Sequence, residues 1–176
     1  MDLISGNVDC VIRGGPLADS SLVARLIGHA TLITCATPAY LKASGVPAYP
    51  DELRNGHRLV SYLSPLTGKP FPLRFERQEE KIEIISAHRI GVNESNGHLA
   101  AGLAGLGIIQ TFSYSLSSIL RRGEMVEILR NWSPAGYPYH LVYPQNRHVT
   151  QRVRVFIDWL VVRLPERHAG EGESGS

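Results

Sequence analysis

The sequence predicts an α/β fold, and three observations support that fold class. Short β-branched apolar runs such as VDCVIR and HATLITCATP are bounded by Gly, Asp or Pro, as buried strands are. Segments such as PAYLKASG begin with proline and end with glycine, which is typical of short helices. The segment AHRIGVNESNGHLAAGLAGLGIIQTF combines strand, helix and strand in the order of a βαβ unit.

The remaining elements alternate along the chain in the same way. VDCVIR, LVARLI and HATLITCATP predict strands, and PAYLKASG and PDELRNG predict short helices. LRFER and KIEIIS predict a hairpin after the loop SPLTGKPFP, and SYSLSSILRRG predicts a helix that Gly123 ends. EMVEILRNW and YHLVYP predict strands, and the last segment predicts a helix. The apolar face of that helix comprises Val149, Val153, Phe156, Ile157, Leu160, Val161 and Leu164.

The composition is that of a globular protein with a core of ordinary size. The 176 residues are 43% hydrophobic and 19% charged, with 18 Lys plus Arg against 16 Asp plus Glu. The net charge of +2 is too balanced to imply nucleic-acid binding by itself. No apolar run reaches the ~20 residues of a membrane-spanning helix, and MDLISGN lacks the pattern of a secretory signal. We therefore expect a soluble cytoplasmic protein.

No sequence motif indicates an enzyme, a metal site or a cofactor site. Cys10 and Cys35 lack CxxC spacing and lie in strand-like runs, so we expect buried thiols and no disulfide. The seven histidines form no cluster at metal-ligand spacing, and G-x-S-x-G, P-loop and H-E-x-x-H patterns do not occur. We expect no catalytic residue, no metal and no cofactor, and interpret His98 as a satisfied or surface histidine.

The glycine-rich segment GLAGLG, residues 102–107, resembles a dinucleotide-binding loop only in its letters. Such loops follow a strand and open a helix. Here the glycines close a helix and open a strand, so we predict a helix end followed by a tight turn.

Two segments are candidates for ligand binding, and each has a structural alternative. In VNESNG, side chains and backbone N–H groups of residues 93–96 can hold a carboxylate or another anion, or Asn93 or Ser95 can simply cap the helix. In RGG, Arg13 ends a strand where α/β sheets bind ligands, and its guanidinium suits a carboxylate. The alternative is a surface ion pair, with Gly14 and Gly15 providing the backbone angles of a turn.

The order of these segments resembles the effector-binding domain of LysR-type transcriptional regulators. The resemblance is carried by DLISGNVDCVIRGGPLADSSLVARLIG, LITCATPAYLKASGVPAYPDEL, LAAGLAGLGI, GEMVEIL and YHLVYPQNRHVTQRVRVFIDWL. It runs from Asp2 to about Leu164. Each segment alone is weakly informative, but the five in order are specific.

The resemblance implies a two-lobed fold like the type II periplasmic binding proteins, with an effector between the lobes. Two crossover strands would lie near Cys35 to Pro38 and near Leu141 to Pro144. Lobe I would comprise residues 1–37 and 145–165 and lobe II residues 38–144, followed by a disordered tail at 166–176. The candidate effector-binding residues are Arg13, Gly14 and Gly15 of lobe I, Thr37 at the first crossover, and Asn93, Glu94 and Ser95 of lobe II.

The resemblance also implies a partner and a role. We expect a small-molecule effector, for which Arg13 favours a carboxylate or another anion, and a regulatory function in transcription without covalent chemistry. The alternatives are a stand-alone solute-binding protein of similar architecture, which the buried thiols and missing secretory signal disfavour, and, third, an enzyme. DNA contact would come only through a winged helix-turn-helix that this chain lacks.

The family pattern would place Met1 inside the second helix of lobe I. We therefore expect lobe I to be incomplete, with exposed apolar surface and unpaired strand edges. The chain would then be unstable, domain-swapped or a truncated form of a longer protein. The family implies a homo-oligomer, which this departure puts in doubt.

Overall fold

The computed structural model describes residues 9–14, 22–85, 90–134, 136–144, 151 and 154–160. Its strands are β1 (Val11–Gly14), β2 (Leu22–Ala30), β3 (Leu32–Ala36), β4 (Val60–Tyr62), β5 (Leu73–Arg77), β6 (Glu80–Ile84), β7 (Ile90–Val92), β8 (Ile109–Phe112), β9 (Val126–Ile128) and β10 (Tyr137–Pro144). Its helices are α1 (Pro38–Ser44), α2 (Ser95–Leu103) and α3 (Ser113–Arg121), and residues 154–160 are also helical. The predicted alternation of strands and helices is confirmed, with two adjustments. PDELRNG forms a 3₁₀ turn, and EMVEILRNW forms a strand followed by a second such turn.

The chain divides into two compact units. Unit 1 comprises Met1–Ala30 and Gly136–Ser176, and unit 2 comprises Thr31–Ala135. The divisions come earlier in the chain than the predicted lobe limits of 37/38 and 144/145. The reason is strand pairing, because β3 pairs with β8 and β9 inside unit 2, whereas β10 pairs with β1 and β2 inside unit 1. The assignment of the units to the two lobes stays a prediction, and Gly15 and the predicted tail lie outside the described residues.

Unit 1 contains an antiparallel sheet in the order β1-β10-β2. Its buried cluster comprises Ile27, Leu141, Ile157 and Leu160, so two residues of the predicted apolar helix face pack as expected. Phe156, which was predicted on the same face, is 44% exposed, and its ring stacks on Trp159, which is 56% exposed. The helical residues 154–160 therefore bury one side of the predicted face and leave two large aromatic side chains in solvent.

Unit 2 is organised around strands that run in two directions. β8-β3-β9 are antiparallel and β4-β7 are parallel. A parallel bridge between Leu59 and Ile108 joins the two groups, with hydrogen bonds from Val60 N–H to the Ile108 carbonyl and from Ile108 N–H to the Arg58 carbonyl. β7, β4 and β8 therefore run parallel, and α2 is the crossover helix between β7 and β8, which confirms the predicted βαβ unit. We call the edge at which β4 and β7 end, at Tyr62 and Val92, the carboxyl edge.

Two buried clusters form the core of unit 2. One contains Cys35, Val60, Ile109, Leu116, Ile119 and Met125, and the other lies around Leu53, Ile84, Ile108 and Trp132. α2 packs closely on β8 because residue 102 is glycine: a Cβ there would lie 2.7 Å from Ile109 Cδ1. The chain turns after α2 at Gly105, whose φ of 70° suits glycine, so the helix end and tight turn predicted for GLAGLG are confirmed.

A hairpin of β5 and β6 is hydrogen-bonded to the sheet through the side chain of Gln110. The Gln110 carboxamide of β8 accepts a hydrogen bond from Arg74 N–H at 2.9 Å and donates one to the Arg74 carbonyl at 2.9 Å. The same nitrogen donates to Thr34 Oγ1 at 3.0 Å. Gln110 thus gives the backbone of Arg74 the two hydrogen bonds that a residue of a neighbouring strand would give.

Both cysteines are free. Cys35 is buried, and burial raises the pKa of its thiol to about 12, while Cys10 is only half-buried. Among the described residues, no group of three or more His, Cys, Asp or Glu side chains could hold a metal ion. Within the same residues, no helix combines the length and the apolar composition that crossing a membrane requires.

Candidate ligand-binding residues

The N-terminus of α2 lies at the carboxyl edge, where residues 93–95 follow β7. The sequence predicted capping by Asn93 or Ser95, but the N-cap residue is Glu94. Its carboxylate accepts hydrogen bonds from Asn96 N–H at 2.9 Å and Gly97 N–H at 2.8 Å. The Asn96 side-chain amide donates to the same carboxylate at 3.1 Å. The backbone path explains the correction, because the helix begins at Ser95 and the residue before it, Glu94, has the extended backbone of an N-cap.

The hydrogen bonds to Glu94 also determine its charge. The backbone N–H groups of Asn96 and Gly97 lower the pKa of the Glu94 carboxyl, and their effect outweighs the opposing effect of desolvation. Glu94 is therefore ionised at neutral pH and exposed to solvent. The sequence predicted that N–H groups at this helix terminus could bind an external anion. In the structure, the Glu94 carboxylate accepts hydrogen bonds from two of them, those of Asn96 and Gly97.

An aromatic group lies beside the first turn of α2. Tyr62, the last residue of β4, stacks on Phe71 with 6.0 Å between ring centroids and an interplanar angle of 23°. On the other side its ring meets the His98 ring edge to face at 5.5 Å. Phe71 is 49% exposed, and its backbone N–H donates to the Tyr62 carbonyl at 2.9 Å. The pair therefore presents an aromatic surface at the carboxyl edge.

His98 is a satisfied core histidine, as predicted. It is 3% exposed, and its Nε2–H donates to the Val60 carbonyl, with 3.0 Å between the two atoms. Burial lowers the pKa of the imidazole, and the hydrogen bond to Val60 offsets only part of that effect. The residue joins α2 to β4 as a neutral ring.

Thr37 does not join the residues at the carboxyl edge. It is buried, caps α1 and accepts a hydrogen bond from Tyr40 N–H at 3.2 Å. Its hydroxyl lies 3.2 Å from the position of a Cβ on Gly105, beyond the C-terminus of α2. Glu94 caps the opposite end of this nine-residue helix, so about 13 Å of helix separates the two positions. The prediction placed Thr37 at a crossover, but β3 runs antiparallel to β8 and carries Thr37 to the opposite edge of the sheet.

Arg13 lies in β1 and is exposed, opposite His140 of β10. Directly opposed residues of an antiparallel pair share one face of a sheet, so Arg13 and His140 are neighbours. His140 Nδ1 is buried and has no hydrogen-bond partner among the described residues. Such atoms normally have a partner, which here can be a bound polar group or water. His140 is a candidate that sequence reasoning missed, because YHLVYP was interpreted only as a strand.

Gly14 has a packing role. A Cβ on Gly14 would lie 2.8 Å from Tyr137 Cε1 and 3.2 Å from Tyr139 Cε1, so glycine lets β1 approach the two tyrosines of β10. Its place inside β1 differs from the predicted turn. Gly15, the third residue of the predicted motif, lies outside the described residues.

The structure thus gives each unit its own candidate residues. Unit 2 brings together Asn93, Glu94 and Ser95 with Tyr62 and Phe71, and unit 1 brings together Arg13 and His140. Tyr62 in SYL and Phe71 in KPFP are visible in the sequence as aromatic residues. Their pairing was not predicted, because SPLTGKPFP was interpreted as a surface loop. These groups are hydrogen-bond donors and acceptors, charges and rings, which are suited to reversible binding of a small polar molecule.

Comparison with known proteins gives these residues a family context. The family model of the LysR substrate binding domain matches residues 1–165. The HTH-type transcriptional regulator YhjC of Escherichia coli is 36% identical over 166 residues, which are 94% of this chain and 55% of YhjC. An HTH-type transcriptional repressor of Pseudomonas aeruginosa is 32% identical over 94% of this chain and 52% of the repressor. The chain spans about half the length of the curated relatives it matches.

A solved structure has the same fold. The regulatory domain of CrgA, a LysR-type transcriptional regulator from Neisseria meningitidis, matches with a TM-score of 0.74 and 26% identity. The match covers 92% of this chain and 78% of that domain. The predicted α/β fold of the type II periplasmic-binding-protein class is confirmed. All three relatives are transcriptional regulators, and none supports the alternative of a stand-alone solute-binding protein.

Proposed function

The chain belongs to the LysR substrate-binding domain family, and from this premise we propose that it is the effector-sensing part of a LysR-type transcriptional regulator. The family match over residues 1–165 is the observation that carries the proposal. The relatives are named as helix-turn-helix regulators, and the chain spans about half of their length. We assign DNA contact to a helix-turn-helix region of such a regulator, outside this match. We also propose that the protein acts in the cytoplasm, where bacterial transcription takes place.

The proposed activity is reversible binding without covalent chemistry. A small effector would shift the regulatory domain between conformations and so change transcription. The side chains proposed are Arg13 and Gly14 in unit 1 and Asn93, Glu94 and Ser95 in unit 2, with His140 added. Thr37 is removed from the set, because it caps α1 at the opposite edge of its sheet from Glu94.

Arg13 supports an effector with an acidic group. Its guanidinium is exposed, and among the ion pairs of the described residues none involves Arg13. A guanidinium binds a carboxylate through two parallel hydrogen bonds. The unpartnered His140 Nδ1 on the same face could accept a hydrogen bond from the same ligand or from a water molecule beside it.

A thermal-shift screen of small organic acids and amino acids tests the proposal. At roughly 100 times its Kd, an effector should raise Tm by about 5–10 °C. Arg13→Ala should weaken the binding of acidic effectors about tenfold or more, because a charge-assisted pair is lost.

Arg25→Ala is the matched control, because Arg25 is an exposed arginine of the same sheet that pairs with Asp158 at 3.4 Å. It should leave the ligand-induced shift unchanged. Equal stabilisation of wild type and Arg13→Ala would remove Arg13 from the site. The absence of a shift with every compound would contradict effector binding itself.

A further inference from the structure

We propose that the carboxyl edge of unit 2 binds an ammonium or other cationic group of the effector, with the Glu94 carboxylate as its ion partner and the Phe71–Tyr62 pair as its aromatic wall. The inference rests on the proposed effector-sensing function and assigns a ligand chemistry to one of its residue sets. It differs from the carboxylate that the sequence led us to expect at the same place.

The first step is that the helix terminus is already neutralised. Glu94 occupies the N–H groups of Asn96 and Gly97 at 2.9 and 2.8 Å. A ligand carboxylate arriving here would find these donors taken and would meet a like charge at close range, which is destabilising. An anion could bind only after the cap had been broken, and replacing a good N-cap costs about 1 kcal/mol.

The second step is that the Glu94 charge lacks a counter-charge among the described residues. No Lys, Arg or His side chain in the described parts of the chain forms an ion pair with it. Most other carboxylates of unit 2 do have one: Asp51, Glu76, Glu80, Glu83, Glu124 and Glu127 each pair with an arginine or lysine. Glu94 therefore offers an ionised and exposed carboxylate whose charge is available to a cation, although most of its lone pairs already accept hydrogen bonds.

The third step is that an aromatic surface lies at the same edge of the sheet as that carboxylate. Tyr62 lies opposite Val92 in the parallel register of β4 and β7, and the next residue, Leu63, donates its N–H to the Val92 carbonyl at 2.8 Å. The Tyr62 ring also contacts His98, which is one helical turn from Glu94. Phe71 stacks on Tyr62 and is half exposed. Ring and carboxylate thus belong to the same end of the same two strands.

The fourth step is the chemistry that suits this combination. The face of an aromatic ring attracts a cation by about 0.5–1 kcal/mol at exposed positions. An exposed carboxylate adds about 0.2–1 kcal/mol for a single ion pair. Both contributions favour a cation and neither favours an anion.

The test uses two probes that share a butyl chain and differ in charge, butylamine and pentanoate, titrated into the full chain and followed by NMR. Butylamine should shift the amide signals of Asn96 and Gly97 and the ring signals of Phe71, and pentanoate should leave them in place. Glu94→Gln keeps an acceptor oxygen for the cap and should weaken butylamine binding about fivefold. Phe71→Leu keeps an apolar side chain and should weaken it about two- to fivefold.

Glu52→Gln is the matched control, since Glu52 is an exposed carboxylate that also accepts a backbone N–H, from Tyr49 at 3.1 Å. It should bind butylamine as wild type does. Equal weakening by Glu52→Gln and Glu94→Gln, or pentanoate binding at Asn96 and Gly97, would overturn the inference. If Glu94→Gln fails to fold, Phe71→Leu alone decides. An organic acid that stabilises the chain while butylamine does not bind would refute this inference and leave the proposed function intact, whereas no binding by any compound would refute both.

Discussion

Units 1 and 2 were predicted from the same kind of pattern, but their described residues differ in how they cover their apolar surface. Unit 2 has two buried clusters, and its most exposed apolar side chain, Leu66, lies in a turn. In the described part of unit 1 there is a three-stranded sheet with one small buried cluster, and the helical residues 154–160 expose Val155, Phe156 and Trp159. A periodic apolar pattern predicts which face of a helix is to be buried. The structure shows which side chains of that face the described residues bury.

The largest expected effect comes from removing core volume in unit 2. Leu116 of α3 is fully buried, and Leu116→Ala should lower the free energy of unfolding by about 2–5 kcal/mol. Phe156→Ala removes a larger side chain in unit 1 but should cost only about 1 kcal/mol, because nearly half of that side chain is exposed. Urea unfolding of both variants measures the difference. Equal losses would mean that unit 1 is packed as tightly as unit 2.

An intermediate effect concerns self-association through unit 1. The stacked and exposed Phe156 and Trp159 should bring copies of the chain together. Replacing both residues by serine should raise the dissociation constant about tenfold in sedimentation velocity. Leu66→Ser, which changes a single exposed side chain of unit 2, should have no effect. A wild-type chain that is monomeric, monodisperse and cooperatively folded would contradict the prediction.

The smallest effect is a pH dependence of unit 2. Burial lowers the pKa of His98, so the unfolded chain binds a proton at a pH where the folded chain does not. The stability that this provides is complete above 6.5, the ordinary pKa of histidine, and is lost as the pH falls from there toward the lowered folded pKa. His98→Gln can still donate to the Val60 carbonyl and should lose less stability between pH 7 and pH 5.

His57 serves as an internal check on this measurement. Burial also lowers its pKa, so it contributes to the pH dependence of both proteins. The difference between wild type and His98→Gln in unfolding experiments therefore reports His98 alone. Parallel pH profiles would show that His98 is not the buried neutral ring described above.

The order of elements was predictable because it depends on local pattern. Pro38 and Gly45 at the ends of α1, and Gly105 after α2, fix those helices by conformational preferences that act within a few residues. The cap of α2 was not predictable to the residue, because Asn93, Glu94 and Ser95 can all accept the same hydrogen bonds and only the backbone path selects Glu94.

The positions of Thr37 and His140 depended on long-range pairing. Thr37 directly follows β3, so the direction of β3 decides at which edge of the sheet Thr37 lies. That direction is fixed by the antiparallel pairing of β3 with β8, which joins residues far apart in sequence. The same holds for His140, whose place opposite Arg13 follows from the register of β1 and β10. Local sequence patterns contain neither register.

The Gln110 carboxamide has a consequence for how this fold tolerates change. The hairpin of β5 and β6 is tied to the sheet at Arg74, near its base, while its turn at Gln78 and Glu79 is exposed. Residues inserted at that turn would lengthen the hairpin without disturbing the anchor or the pairing of Leu73 with Ile84. The turn at Gln78 and Glu79 should therefore tolerate insertions. A fluorescent reporter placed there should leave the pairing of β5 with β6 unchanged.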